Sequence, residues 1–427
     1  MAQVVYKVRR IRAAIEPNGA HGTELSIGNF VDIQAREDSY KVTLDRPMES
    51  PLLLQQHLDG YPSKVFLPRK AGVEFSTNLR ALPSRAASGI TITAATVPDA
   101  PLWGAGLGGE FLGTGTTIAS TSTVTALNVS SAAGLREGGA LACATGPGGA
   151  LEVREIKTIA TNVVTLKLAL SGIPATSSIV YAAATYYLDA TDGGLVRSIQ
   201  MAIEGQTAAD RWLLKGGQLA AAPKLSLAPG TVPKVDWSTK HTEWVLANGT
   251  NTAGFTALMN LAATPISDQS YADTGINAVM DSEFRIMQHG VSTLSGTLID
   301  AQQINITPQL KYGPHTTPAG QNTVKQWVRL RNDGPACVGD FALPYEDTTW
   351  RDKRDAETDF ALFYQIGSSV ANGAVLVSVP RVSFDDWKLE EVDEISGQRI
   401  PFYAKLDNQT TANSSNLQKS AFRFHCV

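Results

Sequence analysis

At 427 residues, with a formal net charge of -4 and a pI near 5.9, the chain can build two or three cores and offers no overall attraction to nucleic acid or an anionic membrane. No window reaches the roughly 18 apolar residues of a membrane-spanning helix, and the basic start lacks the apolar block of a secretory signal. The 37 glycines among many Thr, Ser and Val residues favour strands and turns, and Cys143, Cys337 and Cys426 are too scattered for a zinc site and read as buried free thiols.

Residues 1–24, with Lys7, Arg9, Arg10 and Arg12, read as a mobile N-terminal arm ending in a turn. Alternation of apolar and polar residues then predicts a hairpin over 25–46 around a turn at 36–39. A short helix follows over 52–57, then strands over 64–67 and 73–79. The Trp and Gly rich run 98–109 lacks the preceding strand and following helix of a dinucleotide fingerprint, since Pro98 and Pro101 come before it. It reads as a loop at a domain crossing.

Residues 113–185 form an inserted small β-barrel or sandwich domain, with strands near 124–129, 153–159, 163–170 and 179–181. Its ends should lie close together, so that it hangs from a loop of its host. Residues 195–237 read as an antiparallel meander, in which Ile199, Met201 and Ile203 share one face and Gly216 and Gly217 punctuate the second run. A linker, 251–275, carries a short amphipathic helix at 255–263. A second β-sandwich then occupies 276–427, with a polar, mobile segment at 408–418.

The first β-sandwich is thus assigned to 25–112 plus 186–250. An internal echo links it to the second: Val232, Pro233, Lys234, Val235, Asp236 and Trp237 recur in order as Val379, Pro380, Arg381, Val382, Asp386 and Trp387. That suggests two copies of one β unit in a mainly β chain.

Chemistry is sparse. The six histidines form no HExxH pair and no grouping with cysteine, and there is no P-loop and no GxSxG elbow, so neither an enzyme nor a cofactor is expected. The acidic run Asp385, Asp386, Glu390, Glu391, Asp393 and Glu394 reads as a solvated strand or turn face.

Taken together, the basic arm, the 73–79 strand, the 103–109 loop, the series 198–237 with Gly216, Gly217 and Pro223, and the late strands 297–406 resemble the tail tube (major tail) proteins of long-tailed bacteriophages. The resemblance implies tube-type β-sandwich domains that assemble into stacked rings, a virion conduit through which DNA passes without specific binding. It implies as partners copies of the chain itself and other tail proteins at the tube ends, with no membrane. Synthesis would take place in the host cytoplasm. It places inter-ring contacts in the arm and in 52–68, with Lys7, Arg9, Arg10, Arg12, Leu52 and Tyr61 as candidates. It also asks for an acidic or neutral lumen, to which the 385–394 run could contribute. Two units per chain would give a ring of trimers with pseudo-six-fold symmetry; one unit would require hexamers. The alternative is an adhesive or carbohydrate-binding virion protein, with Trp103, Tyr186 and Tyr187 as stacking platforms.

Overall fold

The computed structural model describes residues 10–16, 25, 29–36, 39–45, 48–49, 65–66, 70–83, 85–189, 195–204, 211–228, 231–246, 282–290, 296–316, 324–330, 334–344, 348–386, 388–392, 395–407 and 415–427. The protein is mainly β, built from large antiparallel sheets of the β-sandwich class. Among the described residues, nineteen strands join one hydrogen-bonded network, and a separate six-stranded sheet belongs to the insert.

The connectivity of the network repeats. In the first copy, Arg10–Ile15 pairs with Val31–Ile33 and Ile199–Glu204. The chain of pairings then runs through Arg211–Leu219, Lys234–Leu246 and Lys70–Asn78 to Lys41–Asp45. In the second copy, Ser282–Gln288 pairs with Thr297–Leu298 and Phe360–Ser369. From there the same order runs through Gly373–Phe384, Ile395–Ala404 and Cys337–Leu343 to Gln303–Pro308.

Smaller pieces match as well. Lys224–Leu227 lies on Lys234–Leu246 as Lys388–Val392 lies on Ile395–Ala404. A two-stranded hairpin, Met48–Glu49 with Val65–Phe66, occupies the place that Tyr312–Thr316 with Val324–Arg329 takes in the second copy. Each copy also has one helix at the same point in the order, Ala100–Leu107 and Thr348–Asp355, and each helix delivers one tryptophan to its core. Trp103 meets Trp237 edge-on at 4.8 Å and stacks on Phe424 at 4.1 Å, while Trp350 packs edge-on against Phe341 and Phe384 at 5.5 and 5.4 Å.

The echo at 232–237 and 379–387 is not the trace of this repeat. Val232 to Trp237 enter the strand Lys234–Leu246, whereas Val379 to Val382 lie within Gly373–Phe384, the counterpart of Arg211–Leu219. The two copies follow one another in the chain, the strands of the first ending with Lys234–Leu246 and those of the second beginning with Ser282–Gln288, and they are joined by pairing. Strand Lys224–Leu227 of the first pairs with Gln303–Pro308 of the second, and the C-terminal strand Arg423–Cys426 lies between Ala184–Leu188 and Gly373–Phe384.

Other expectations are corrected by pairing that the sequence pattern does not encode. Arg10–Ile15 is no free arm but a strand flanked on both sides, with Ile11 and Ala13 in the core. Strands Val31–Ile33 and Lys41–Asp45 do not form a hairpin with each other; their partners are Arg10–Ile15 and Lys70–Asn78. The meander breaks at its third strand, because Arg211–Leu219 pairs with the distant half of Lys234–Leu246. The run read as a loop is the buried helix Ala100–Leu107. Its glycines serve close packing: a Cβ on Gly106 would stand 2.4 Å from Leu219 Cδ1. The helices expected at 52–57 and 255–263 lie outside the described residues.

Residues 116–182 hold a sheet of their own. Its strands run in the order Thr116–Thr117, Ile179–Ala182, Ala140–Ala144, Leu151–Ala160, Val163–Leu166 and Ala126–Asn128, and a bridge from Ile118 to Val129 joins the first to the last. The sheet is therefore closed, around Leu127, Leu141, Ile156, Val164 and Val180. The insert hangs from the paired strands Gly108–Leu112 and Ala184–Leu188. Its outer face packs on Phe363 and Leu376 of the second copy. Strands Phe360–Ser369 and Gly373–Phe384 are thus covered on both faces, which explains why they read as unbroken apolar runs.

Candidate assembly interface

The pairing between the copies builds one continuous antiparallel sheet. In order it holds Lys41–Asp45, Lys70–Asn78, Lys234–Leu246 and Lys224–Leu227 from the first copy, then Gln303–Pro308, Cys337–Leu343, Ile395–Ala404 and Lys388–Val392 from the second. Long strands bend to make this possible. Lys234–Leu246 gives its first residues to Lys224–Leu227 and its last to Arg211–Leu219, and Ile395–Ala404 does the same between Lys388–Val392 and Gly373–Phe384.

At the junction of the copies, Leu225 lies opposite Ile306, Ser226 opposite Asn305 and Leu227 opposite Ile304. The four apolar residues are at most 2% exposed. Sealing them contributes roughly 1.5 to 3 kcal/mol per side chain, so the junction belongs to the core. The two ends of the sheet differ. Lys41–Asp45 pairs only with Lys70–Asn78, and Lys388–Val392 only with Ile395–Ala404, among the described residues. Leu389 holds the place in the second copy that Leu225 holds in the first, yet it is 55% exposed.

One face of the sheet is polar. Lys41, Thr43, Asp45 and Glu74 stand there with Lys224, Lys234, Lys240 and Asp340. Charges of both signs are interleaved: Lys41 pairs with Glu74 at 3.6 Å, Arg399 pairs with Asp340, and Asp236 accepts from Ser76 Oγ at 2.6 Å. A groove of about 720 Å³ runs over the second half of this face, lined by Lys224, Asn305, Asp340, Asp385, Tyr403 and Lys405 among others.

The candidate contact residues scatter. Lys7, Arg9, Leu52 and Tyr61 lie outside the described residues, as do Asp393 and Glu394. Arg10 begins the strand Arg10–Ile15, where it stands opposite Glu204. Arg12 is engaged within the chain, pairing with Asp32 at 3.1 Å and donating to the Phe30 carbonyl at 3.2 Å. Asp385 and Asp386 are exposed, and Asp386 is tied to Arg354. Glu390 and Glu391 take consecutive positions of the strand Lys388–Val392. The proposed stacking platforms Trp103 and Tyr186 are core residues, 2% and 0% exposed.

Three features escaped sequence reasoning: the strands Lys224–Leu227 and Gln303–Pro308 as a junction, and Leu389 as its open counterpart. A signal was present in Lys224-Leu225-Ser226-Leu227 against Lys388-Leu389-Glu390-Glu391, two short strands that begin alike.

A second polar assembly fixes the insert to the body. Arg423 pairs with Glu155 and, at 3.3 Å, with Asp407, while Lys167 reaches Glu155 at 2.7 Å and Asp407 at 3.5 Å. Burial would raise the Glu155 carboxyl, but Arg423 and Lys167 outweigh it and hold the group at about 2. His425, beside them, is pushed down to about 3 by burial, with Thr185 Oγ1 at 3.0 Å and Ser378 Oγ at 3.2 Å on its two ring nitrogens. The three cysteines are buried and their thiols are held protonated by burial, Cys143 at about 12. Among the described residues no group of His, Cys, Asp and Glu is arranged to hold a metal ion. Comparison with known proteins finds no family model that matches this chain and no matching curated protein.

Proposed function

We propose that this chain is the ring-forming subunit of a phage tail tube, three chains closing into a ring of six β units and rings stacking into a conduit for DNA. The observation that supports this reading is the single sheet running through both copies and ending in two strands whose outer edges have no partner among the described residues. An unpaired edge is a liability in a free monomer and an adhesive in an assembly. The polar face would then line the channel, where interleaved charges favour sliding over capture, since a uniformly basic lining would hold the phosphate backbone. The insert, docked on the far layer of the second copy, would face outward.

The adhesive alternative has lost two of its three aromatic platforms to the core. Negative-stain electron microscopy of the purified protein, with mass photometry, tests the proposal. Rings or tubes with a central channel and a mass of three chains per ring are expected. Monomers alone, at high concentration across a range of salt and pH, would overturn it.

A further inference from the structure

The junction between the copies offers a template for the free end strands. The copies share a bulge that fixes their alignment: Ile199 opposite Gly217 and Met201 opposite Leu214 match Phe360 opposite Val382 and Leu362 opposite Val379. His241, opposite Gly217, therefore corresponds to Ala404, opposite Val382; Trp237 then corresponds to Ile400 and their cross-strand partners Phe75 and Phe341 to each other. The short outer strands then fall into step without adjustment: Lys224 lies opposite Asp236 and Lys388 opposite Arg399, so Lys224 corresponds to Lys388 and Leu225 to Leu389. On the other side, Ile306 opposite Gly339 corresponds to Val42 opposite Val73, and Asn305 opposite Asp340 to Lys41 opposite Glu74.

Resting on the tube reading, we infer that strand Lys388–Val392 of one chain adds to Lys41–Asp45 of the next as an antiparallel edge. Its register is copied from within the chain: Leu389 opposite Val42, Glu390 opposite Lys41 and Glu391 opposite Tyr40. The occupant is therefore a second copy of this chain, bound head to tail, so that each chain uses one of its end strands on each side.

Four observations agree. Leu389 is 55% exposed where its counterpart Leu225 is 0% exposed. The register sets a Glu opposite a Lys, a pair of opposite charge that stabilises a cross-strand position. Tyr40 has a buried hydroxyl with no hydrogen-bond partner among the described residues, and this register brings a carboxylate residue to the opposite position.

The hairpins give the fourth. Within the chain, the hairpin of the second copy laps over the first: Leu195 and Val196 pair with Val328 and Trp327, Trp327 Nε1 donates to the Gly216 carbonyl at 2.9 Å, and Tyr312 Oη donates to the Gly106 carbonyl. The same relation carries the hairpin Met48–Glu49 with Val65–Phe66 over the second copy of the preceding chain.

Cysteine cross-linking of the full chain tests the register. The double variant Glu390→Cys with Lys41→Cys is assembled, oxidised and run on a non-reducing denaturing gel; the native thiols are buried and do not compete. Covalent multimers ending at the ring mass are expected, reversed by reductant and absent from either single variant. Lys388→Cys with Thr43→Cys, a second pair in the same register, should behave alike, and Glu390→Cys with Asp45→Cys, four residues out of step, should not cross-link.

Rings that fail to cross-link at both in-register pairs would overturn the junction and leave the tube reading standing. Cross-linking at these pairs in particles that are not closed rings would uphold the junction and overturn the tube. Monomers under every condition would overturn both.

Discussion

Arg423, 1% exposed, carries a full charge into the seam between insert and body, and it is tolerated there because Glu155 and Asp407 meet it. Removing one member of a buried ion pair strands the other. Arg423→Met is expected to cost about 3 to 5 kcal/mol by urea unfolding, and Glu155→Gln in the same chain to recover part of that loss, read as the coupling of a double-mutant cycle. Acid should act at the same seam, through His425, and in the sheet of the first copy, where His241 stands opposite Gly217. His241 and His425 are both held near 3 by burial, against 6.5 in an open chain. Unfolded histidines therefore take protons first, and the stability they lend is complete above about pH 6.5 and drains as pH falls toward 3. The expected slope is up to about 1.4 kcal/mol per pH unit for each. Glu155, depressed to about 2, adds a loss that begins below about 4.5. Urea midpoints between pH 7 and 4 should fall steadily, and His425→Gln should flatten the slope; a pH-independent midpoint would contradict the assignment.

At the scale of elements, the neck of the insert is closely packed. A Cβ on Gly115 would stand 2.1 and 2.3 Å from the carbonyl oxygens of Ala86 and Ala87, which are backbone and cannot rotate away. Gly115→Ala is expected to destabilise by about 1 to 3 kcal/mol and to raise amide exchange around 113–118 ahead of the rest of the insert. The sequence announces some elements plainly. The alternation of Ile199, Met201 and Ile203, and of Val164 with Leu166, follows the pleat of half-buried strands and is visible without a structure. Other elements are silent for physical reasons. Ala100–Leu107 is buried on every side, so it shows no amphipathic period, and its glycines resemble a loop until Leu219 is seen against Gly106. Cys337–Leu343 and Arg423–Cys426 are short and covered by partners far away in sequence, which no local window contains. The duplication was suspected from a false correspondence: 232–237 and 379–387 share residue types, while the positions that truly match, Lys224 with Lys388 and Leu225 with Leu389, share only two letters. The edges of the candidate interface were illegible because an edge is defined by the absence of a partner.

On the scale of the whole molecule, Leu225 and Leu389 make a natural comparison, one site sealed and one open. Leu225→Asp would bury an unpaired carboxylate at the junction of the copies and is expected to abolish cooperative folding. Leu389→Asp changes an exposed position and should leave the unfolding midpoint of the monomer within about 0.5 kcal/mol of the parent while eliminating rings. Differential scanning calorimetry and electron microscopy on the same samples separate the two effects. If Leu389→Asp still gave normal rings, the end strand would not be the assembling edge.

The duplicated connectivity also bears on miscounting. A subunit carrying one unit can close a ring with one member too many or too few, and each such mistake alters the bore by a single step. Here units enter only in fused pairs, joined through Leu225 and Ile306 before any encounter between chains. On the proposed ring reading, a ring of this chain would have even parity, and its nearest errors, four or eight units, would lie two units from six where an unfused subunit errs by one. Under that reading, covalent pairing would act as a proofreading device for diameter, set at the ribosome instead of at the growing tip.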